Sequence, residues 1–129
     1  MATSFEVRLI GGQPEGDLLR YAPGEEVAGT ATIVTDSDLT GHHVYVRLHW
    51  HTEGRGNRDE LNVLEDNVFQ GTLKPGTPIT HDFRFALPGS PWSFAGHYVS
   101  IVWAIQISID VPMARDPVYY QPFVMAPRR

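Results

Sequence analysis

The chain has 129 residues, 42% of them hydrophobic and 19% charged, which fits one globular domain, 1–129, with a core of its own. A formal net charge of −5 supplies no basic stripe to neutralise phosphates and argues against a nucleic-acid partner. The absence of cysteine rules out disulfides, thiolate nucleophiles and Cys-ligated zinc.

The N-terminal residues Met1-Ala2-Thr3-Ser4 show neither a basic nor an apolar leader region. The longest apolar stretch, Ile101 to Ile109, is interrupted by Gln106 and Ser108 and is too short for a membrane helix. A cytoplasmic protein with no membrane insertion is the expectation. Taken in chain order, the strand candidates are Phe5–Ile10, Val27–Thr35, Val44–His51, Glu60–Gln70, Ile79–Leu87, Val99–Val111 and Val118–Met125. The third alternates Val44, Val46, Leu48 and Trp50 with Tyr45, Arg47, His49 and His51. The sixth carries Ile101, Trp103, Ile105, Ile107 and Ile109 on one face and Ala104, Gln106 and Ser108 on the other. Within the fourth, Glu60–Asn67 is the one segment where a short helix competes. The last strand should lie at an edge, because Pro122 has no N–H for a ladder.

Turn chemistry separates the runs: Gly11-Gly12, Pro23-Gly24, Asp36-Ser37-Asp38, Gly54–Asn57, Pro75-Gly76 and Pro88–Pro91. Short alternating strands at regular spacing predict an all-β, antiparallel, immunoglobulin-like β-sandwich.

Three segments then resemble the arrestin-like superfamily. Tyr21-Ala22-Pro23-Gly24-Glu25-Glu26-Val27-Ala28-Gly29 resembles the turn that enters the second strand of its N-terminal domains. Gly71–Gly76 with Phe83-Arg84-Phe85-Ala86-Leu87-Pro88 and Pro91-Trp92-Ser93-Phe94 is similar to a second family stretch. Gly96 to Pro112, ending Asp110-Val111-Pro112, looks like the long family strand. The likeness covers residues 5–125, and bacterial sporulation-control arrestin-like proteins are the nearest in appearance. It implies a non-enzymatic scaffold or adaptor. Family members carry two such sandwiches in tandem, so mechanisms acting between two domains are not carried over to this one.

Histidines are the first candidates for chemistry. His49 and His51 share a strand face, a spacing that can place two imidazoles on one zinc or copper ion. No third ligand is identifiable, so the expectation is no metal and no cofactor, with an exposed polar strand face that happens to use histidine in its place. His81 falls on an apolar face and reads as a satisfied, half-buried histidine. The acidic group Asp59, Glu60, Glu65 and Asp66 reads as a solvated edge. Ser90, Ser93 and Ser100 stand in no nucleophile-elbow pattern.

Trp92 and Phe94, in the proline-rich turn, and Val118, Tyr119 and Tyr120, on the last strand, are the candidate protein-binding residues. Packing Trp92 and Phe94 over the open end of the sandwich is the competing reading. Tyr119 and Tyr120 should put one ring on each face of their strand. The functional expectation is a non-enzymatic protein-interaction domain that binds an unidentified protein or its own copy, by strand addition near Val118–Met125 or at Glu60–Gln70, or through the loops at one end. A carbohydrate- or small-ligand-binding module centred on Trp92 is the first alternative. A metal-dependent enzyme using His49 and His51 is the second.

Overall fold

The computed structural model describes residues 3–36, 38–56, 58–111 and 117–127, with residues 39–42 described by backbone alone. Ser37, Asn57, Pro112 and the terminal Arg128 and Arg129 lie outside the described residues. Among the described residues there are strands and no helix: β1 (Thr3–Ile10), β2 (Gln13–Glu15), β3 (Leu18–Tyr21), β4 (Glu26–Thr35), β5 (Leu39–Gly54), β6 (Glu60–Leu73), β7 (Ile79–Ala86), β8 (Phe94–Ala95), β9 (Val99–Asp110) and β10 (Val118–Met125). Each strand candidate of the sequence is present. Glu60–Asn67 is strand, so the competing helix does not form. The short β2, β3 and β8 have too few residues to show a period.

The strands build a sandwich. One sheet has the order β1-β4-β7, and the other runs β2-β3-β10-β9-β5-β6 with β8 added against β9. The pairs are antiparallel apart from β3 with β10, which is parallel at Val124↔Arg20 and Met125↔Tyr21. β10 is therefore interior in strand order, contrary to the edge position expected from Pro122. The expectation holds locally, because Val118–Phe123 pairs only with β9. The Pro122 carbonyl accepts from the Gln121 side chain at 3.2 Å. The missing N–H is tolerated where the second neighbour has not yet begun.

The core follows from the alternation. Val44, Val46 and Leu48 of β5 and Trp103, Ile105, Ile107 and Ile109 of β9 are buried from the large sheet. Val27, Ala31 and Ile33 of β4, with Phe83 and Phe85 of β7, meet them from the small one. Each fully buried side chain of this kind is worth about 1.5–3 kcal/mol over its exposed state. The Trp103 indole N–H donates to the Pro91 carbonyl at 2.7 Å, so the buried ring leaves no donor unpaired.

The turn before β4 is built as its residues require. Gly24 takes φ of 84°, Glu25 N–H closes the turn on the Ala22 carbonyl at 3.1 Å, and the Glu25 carboxylate accepts from Ala22 N–H at 2.7 Å. Tyr21 packs edge-on against Phe123 and donates its hydroxyl to the Ile10 carbonyl at 2.8 Å.

Gly29 faces Leu9 across β1 and β4, and a Cβ there would drive into the Arg8 carbonyl. Gly29→Ala should therefore force the two backbones apart and cost about 1–3 kcal/mol in urea unfolding. Gly89→Ala, with open space around its Cβ, should stay within about 0.5 kcal/mol of the parent.

Candidate functional site

The outer face of the large sheet is where polar chemistry collects. β5 and β9 pair in unbroken register from His43↔Asp110 to Gly54↔Val99. That register sets His49 beside Ala104 and His51 beside Val102, and the small neighbours leave room for two imidazoles. Tyr120 of β10 lies over both, its ring centroid 5.2 Å from His49 and 5.7 Å from His51. The exposed face expected of these histidines is not found: on the side away from the core, His49 is 1% exposed and His51 5%, because the Tyr120 ring covers them.

Four side chains form one row. Asn62 Oδ1 lies 2.8 Å from His49 Nδ1, His49 Nε2 lies 3.0 Å from His51 Nδ1, and His51 Nε2 lies 2.9 Å from Glu53 Oε2. A second set adjoins it. Gln106 Nε2 donates to the Tyr120 hydroxyl at 3.2 Å, Arg47 donates to Gln106 Oε1 at 3.1 Å, and Arg47 pairs with Glu65 at 2.6 Å. The Arg47 guanidinium also lies 4.5 Å from the centre of the Tyr45 ring. The buried polar groups of this layer are thus hydrogen-bonded, as burial demands.

Burial is the largest influence on His49 and pushes its pKa below the ordinary 6.5; the Asn62 hydrogen bond opposes that shift, and the neighbouring His51 adds to it. The two histidines expected to share a face therefore do so, as partners in a hydrogen-bonded row. All four of their ring nitrogens are engaged by one another, Asn62 and Glu53. Among the described residues, no third His, Cys, Asp or Glu joins them in a group able to hold a metal ion.

The other candidates disperse. Trp92 and Phe94 are 51% and 56% exposed, so neither serves as a buried cap over the end of the sandwich. The Trp92 indole donates to the Gly89 carbonyl at 2.9 Å, and the turn is tied down by Ser93, which exchanges two hydrogen bonds with Met125. Tyr119 turns inward and stacks on Phe5 at 5.7 Å, Tyr120 turns outward over the histidines, and Val118 is exposed. His81 is half-buried and satisfied by Asp66 at 3.0 Å. Of the acidic group, Glu60 meets Arg58, Glu65 meets Arg47 and Asp66 meets His81, so these three are spent on separate partners.

Below the row the face is concave. A hollow of about 370 Å³ lies between His51, Glu53, Arg58 and Tyr120. It shares Glu53, Val102 and Pro122 with a hollow of about 430 Å³ that runs to Phe94, Leu18 and Arg20. Sequence reasoning missed Glu53 and Asn62. Glu53 continues the odd-numbered face of His49 and His51 and was within reach of the period-two pattern. Asn62 was not, because β6 is bulged.

No family model and no curated protein matches the sequence. Among solved structures, the chain is similar to Spo0M, the sporulation control protein from Bacillus subtilis, with a TM-score of 0.70 and 18% identity. The fold is arrestin-like. The match covers 99% of this chain and 51% of Spo0M, so the chain spans about half the length of that protein. The structural likeness agrees with the resemblance carried by the Pro23-Gly24-Glu25 turn and the long β9 strand. Among the described residues no helix is long and apolar enough to cross a membrane.

The depressed pKa of His49 has a consequence for stability. The fold prefers the neutral ring, so the unfolded chain binds the extra proton first as pH falls through 6.5. The contribution of His49 is complete above 6.5 and is lost as pH drops through its lower folded value. Urea unfolding should show the stability gap between the parent and His49→Gln at its widest near neutral pH, narrowing steadily in acid.

Proposed function

We propose that this chain is a non-enzymatic protein-interaction module that receives a partner strand along the outer edge of β6. The observation that carries the reading is the position of β6. It runs for 14 residues as the last strand of the large sheet, paired with β5 on one side. A strand in that position offers outward N–H and C=O groups to another chain. Leu61 and Leu64 stand on the same strand, 52% and 40% exposed, and supply apolar contacts beside the ladder. The sporulation control function of Spo0M is in keeping with a regulatory module of this kind, and the spent carboxylates of β6 fit a binding surface better than a catalytic one.

β6 is preferred to the open part of β10, because Val118–Phe123 offers less than half that length before β3 closes in. The partner is a protein with a free extended segment, and a second copy of the chain, pairing β6 to β6, meets that requirement.

Neighbouring residues of a strand aim their N–H groups to opposite sides. In the pair Leu64→Pro and Glu65→Pro, one variant should therefore break the β5–β6 ladder and unfold early. The other should keep the parent's melting temperature to within a few degrees and lose partner capture or self-association. Full retention of both by the well-folded variant would count against the β6 edge.

A further inference from the structure

The row Asn62–His49–His51–Glu53 has three contacts, and each needs one hydrogen. Two neutral imidazoles bring one N–H apiece. With Asn62 Oδ1 facing His49, the first contact takes the proton on His49 Nδ1. His49 Nε2 is then a bare lone pair and must accept from His51 Nδ1–H. That leaves His51 Nε2 facing the Glu53 carboxylate, and this contact closes only with one more proton. Turning the Asn62 amide by half a revolution puts Nδ2–H₂ toward His49. Now Asn62 donates, His49 donates from Nε2, His51 donates from Nε2 to Glu53, and both rings are neutral. Amide orientation, His49 tautomer and proton count are thereby locked together.

From this geometry we infer that the row is a one-proton relay, in which uptake of a proton reverses the hydrogen bonds from Asn62 to His51 and turns the Asn62 amide over at the β6 edge. The new proton is taken up at His49 Nδ1, on the side of the exposed Asn62 as its amide turns, while the His49 Nε2 proton passes to His51 Nδ1; the charge comes to rest on His51, whose Nε2–H stays on the Glu53 carboxylate. His49 stays neutral in both states and only exchanges tautomers. Its burial and its charged neighbour both favour that.

The charged and titratable groups around the row are few. β5 contributes Glu53, with Arg47 further along and engaged by Glu65. β6 brings Glu60, which favours charge on His49, and the β5–β6 connection brings Arg58, which opposes it. β10 covers both rings with Tyr120, and β9 lies beneath with uncharged Val102, Ala104 and Gln106.

The two states present different groups at the sheet edge. In the protonated row the Asn62 amide shows its N–H₂ outward, and in the neutral row its oxygen. The relay thus supplies a pH-dependent donor or acceptor beside the strand-addition surface, a consequence that rests on the function proposed above, whereas the relay itself does not.

Ring-nitrogen NMR of the unbound protein, from about pH 8 to about pH 5, separates the two. His49 should pass from the Nε2–H to the Nδ1–H form without becoming an imidazolium, in step with charging of His51. Asn62→Asp, whose carboxylate only accepts, should hold His49 as Nδ1–H throughout. Retention of one His49 tautomer by the parent across the range overturns the relay, as does charging of His49 while His51 stays neutral. Binding plays no part in this measurement, so loss of the β6 edge as a docking surface would leave the relay standing or falling on its own spectra.

Discussion

The unbroken ladder between β5 and β9 is the constraint from which the rest of the architecture follows. Its twelve paired positions hold register without a bulge. On the inner side that register stacks Val44, Val46 and Leu48 against Ile109, Ile107 and Ile105, the centre of the core. On the outer side it fixes His49 and His51 over Ala104 and Val102. A one-residue slip would exchange the two faces, sending isoleucines to the polar layer and histidines into the core. Burial and hydrogen bonding therefore specify the same register from opposite faces, and each strengthens the other.

Rigid pairing on one side of β5 requires accommodation on the other. The β5–β6 ladder shifts in three places, between Leu48 and His49, between Val44 and Tyr45 and between Gly41 and Val44, and the first two leave Val63 and Val68 as extra residues on β6. Each bulge inverts the alternation downstream of it. Asn62 and Glu65 differ in parity yet both face the polar layer, where they meet His49 and Arg47, while Asp66 faces inward to His81. This is why strict period two assigned the β5 residues correctly and failed on Asn62. The signal was in the sequence in another form. The apolar doublets Val63-Leu64 and Val68-Phe69 break the alternation where the extra residues sit. By contrast, β9 was legible throughout, because Val99, Ile101, Trp103, Ile105, Ile107 and Ile109 alternate with its other residues and no bulge breaks their period.

Partial legibility also has a chemical side. The shared face of His49 and His51 followed from their spacing, but spacing does not say what the nitrogens touch. A metal site and a hydrogen-bonded row ask for the same H-x-H on a strand, and they differ in the third partner. Here the flanking positions went to Asn62, delivered by a bulge, and Glu53, from the same strand. The edge expected from Pro122 failed for a related reason. A missing donor requires only that no neighbour lies opposite that one residue, and β3 meets β10 beyond it.

The bulges bear on what the β6 edge can accept. A flat, regular edge pairs with almost any extended chain and invites aggregation, and bulges and charges are the usual protection. β6 carries both: two bulges with extra residues on its own side, and Glu60 and Glu65 along its length. A partner strand must follow the local twist at Val63 and Val68, and must place no carboxylate against those acids. On the proposed reading, such an edge would select a partner strand by shape and by charge before any side-chain pocket is filled. The same bulge that would make the edge selective carries Asn62 into the histidine layer, so the surface a partner would meet and the polar row behind it are built by one local irregularity of the backbone.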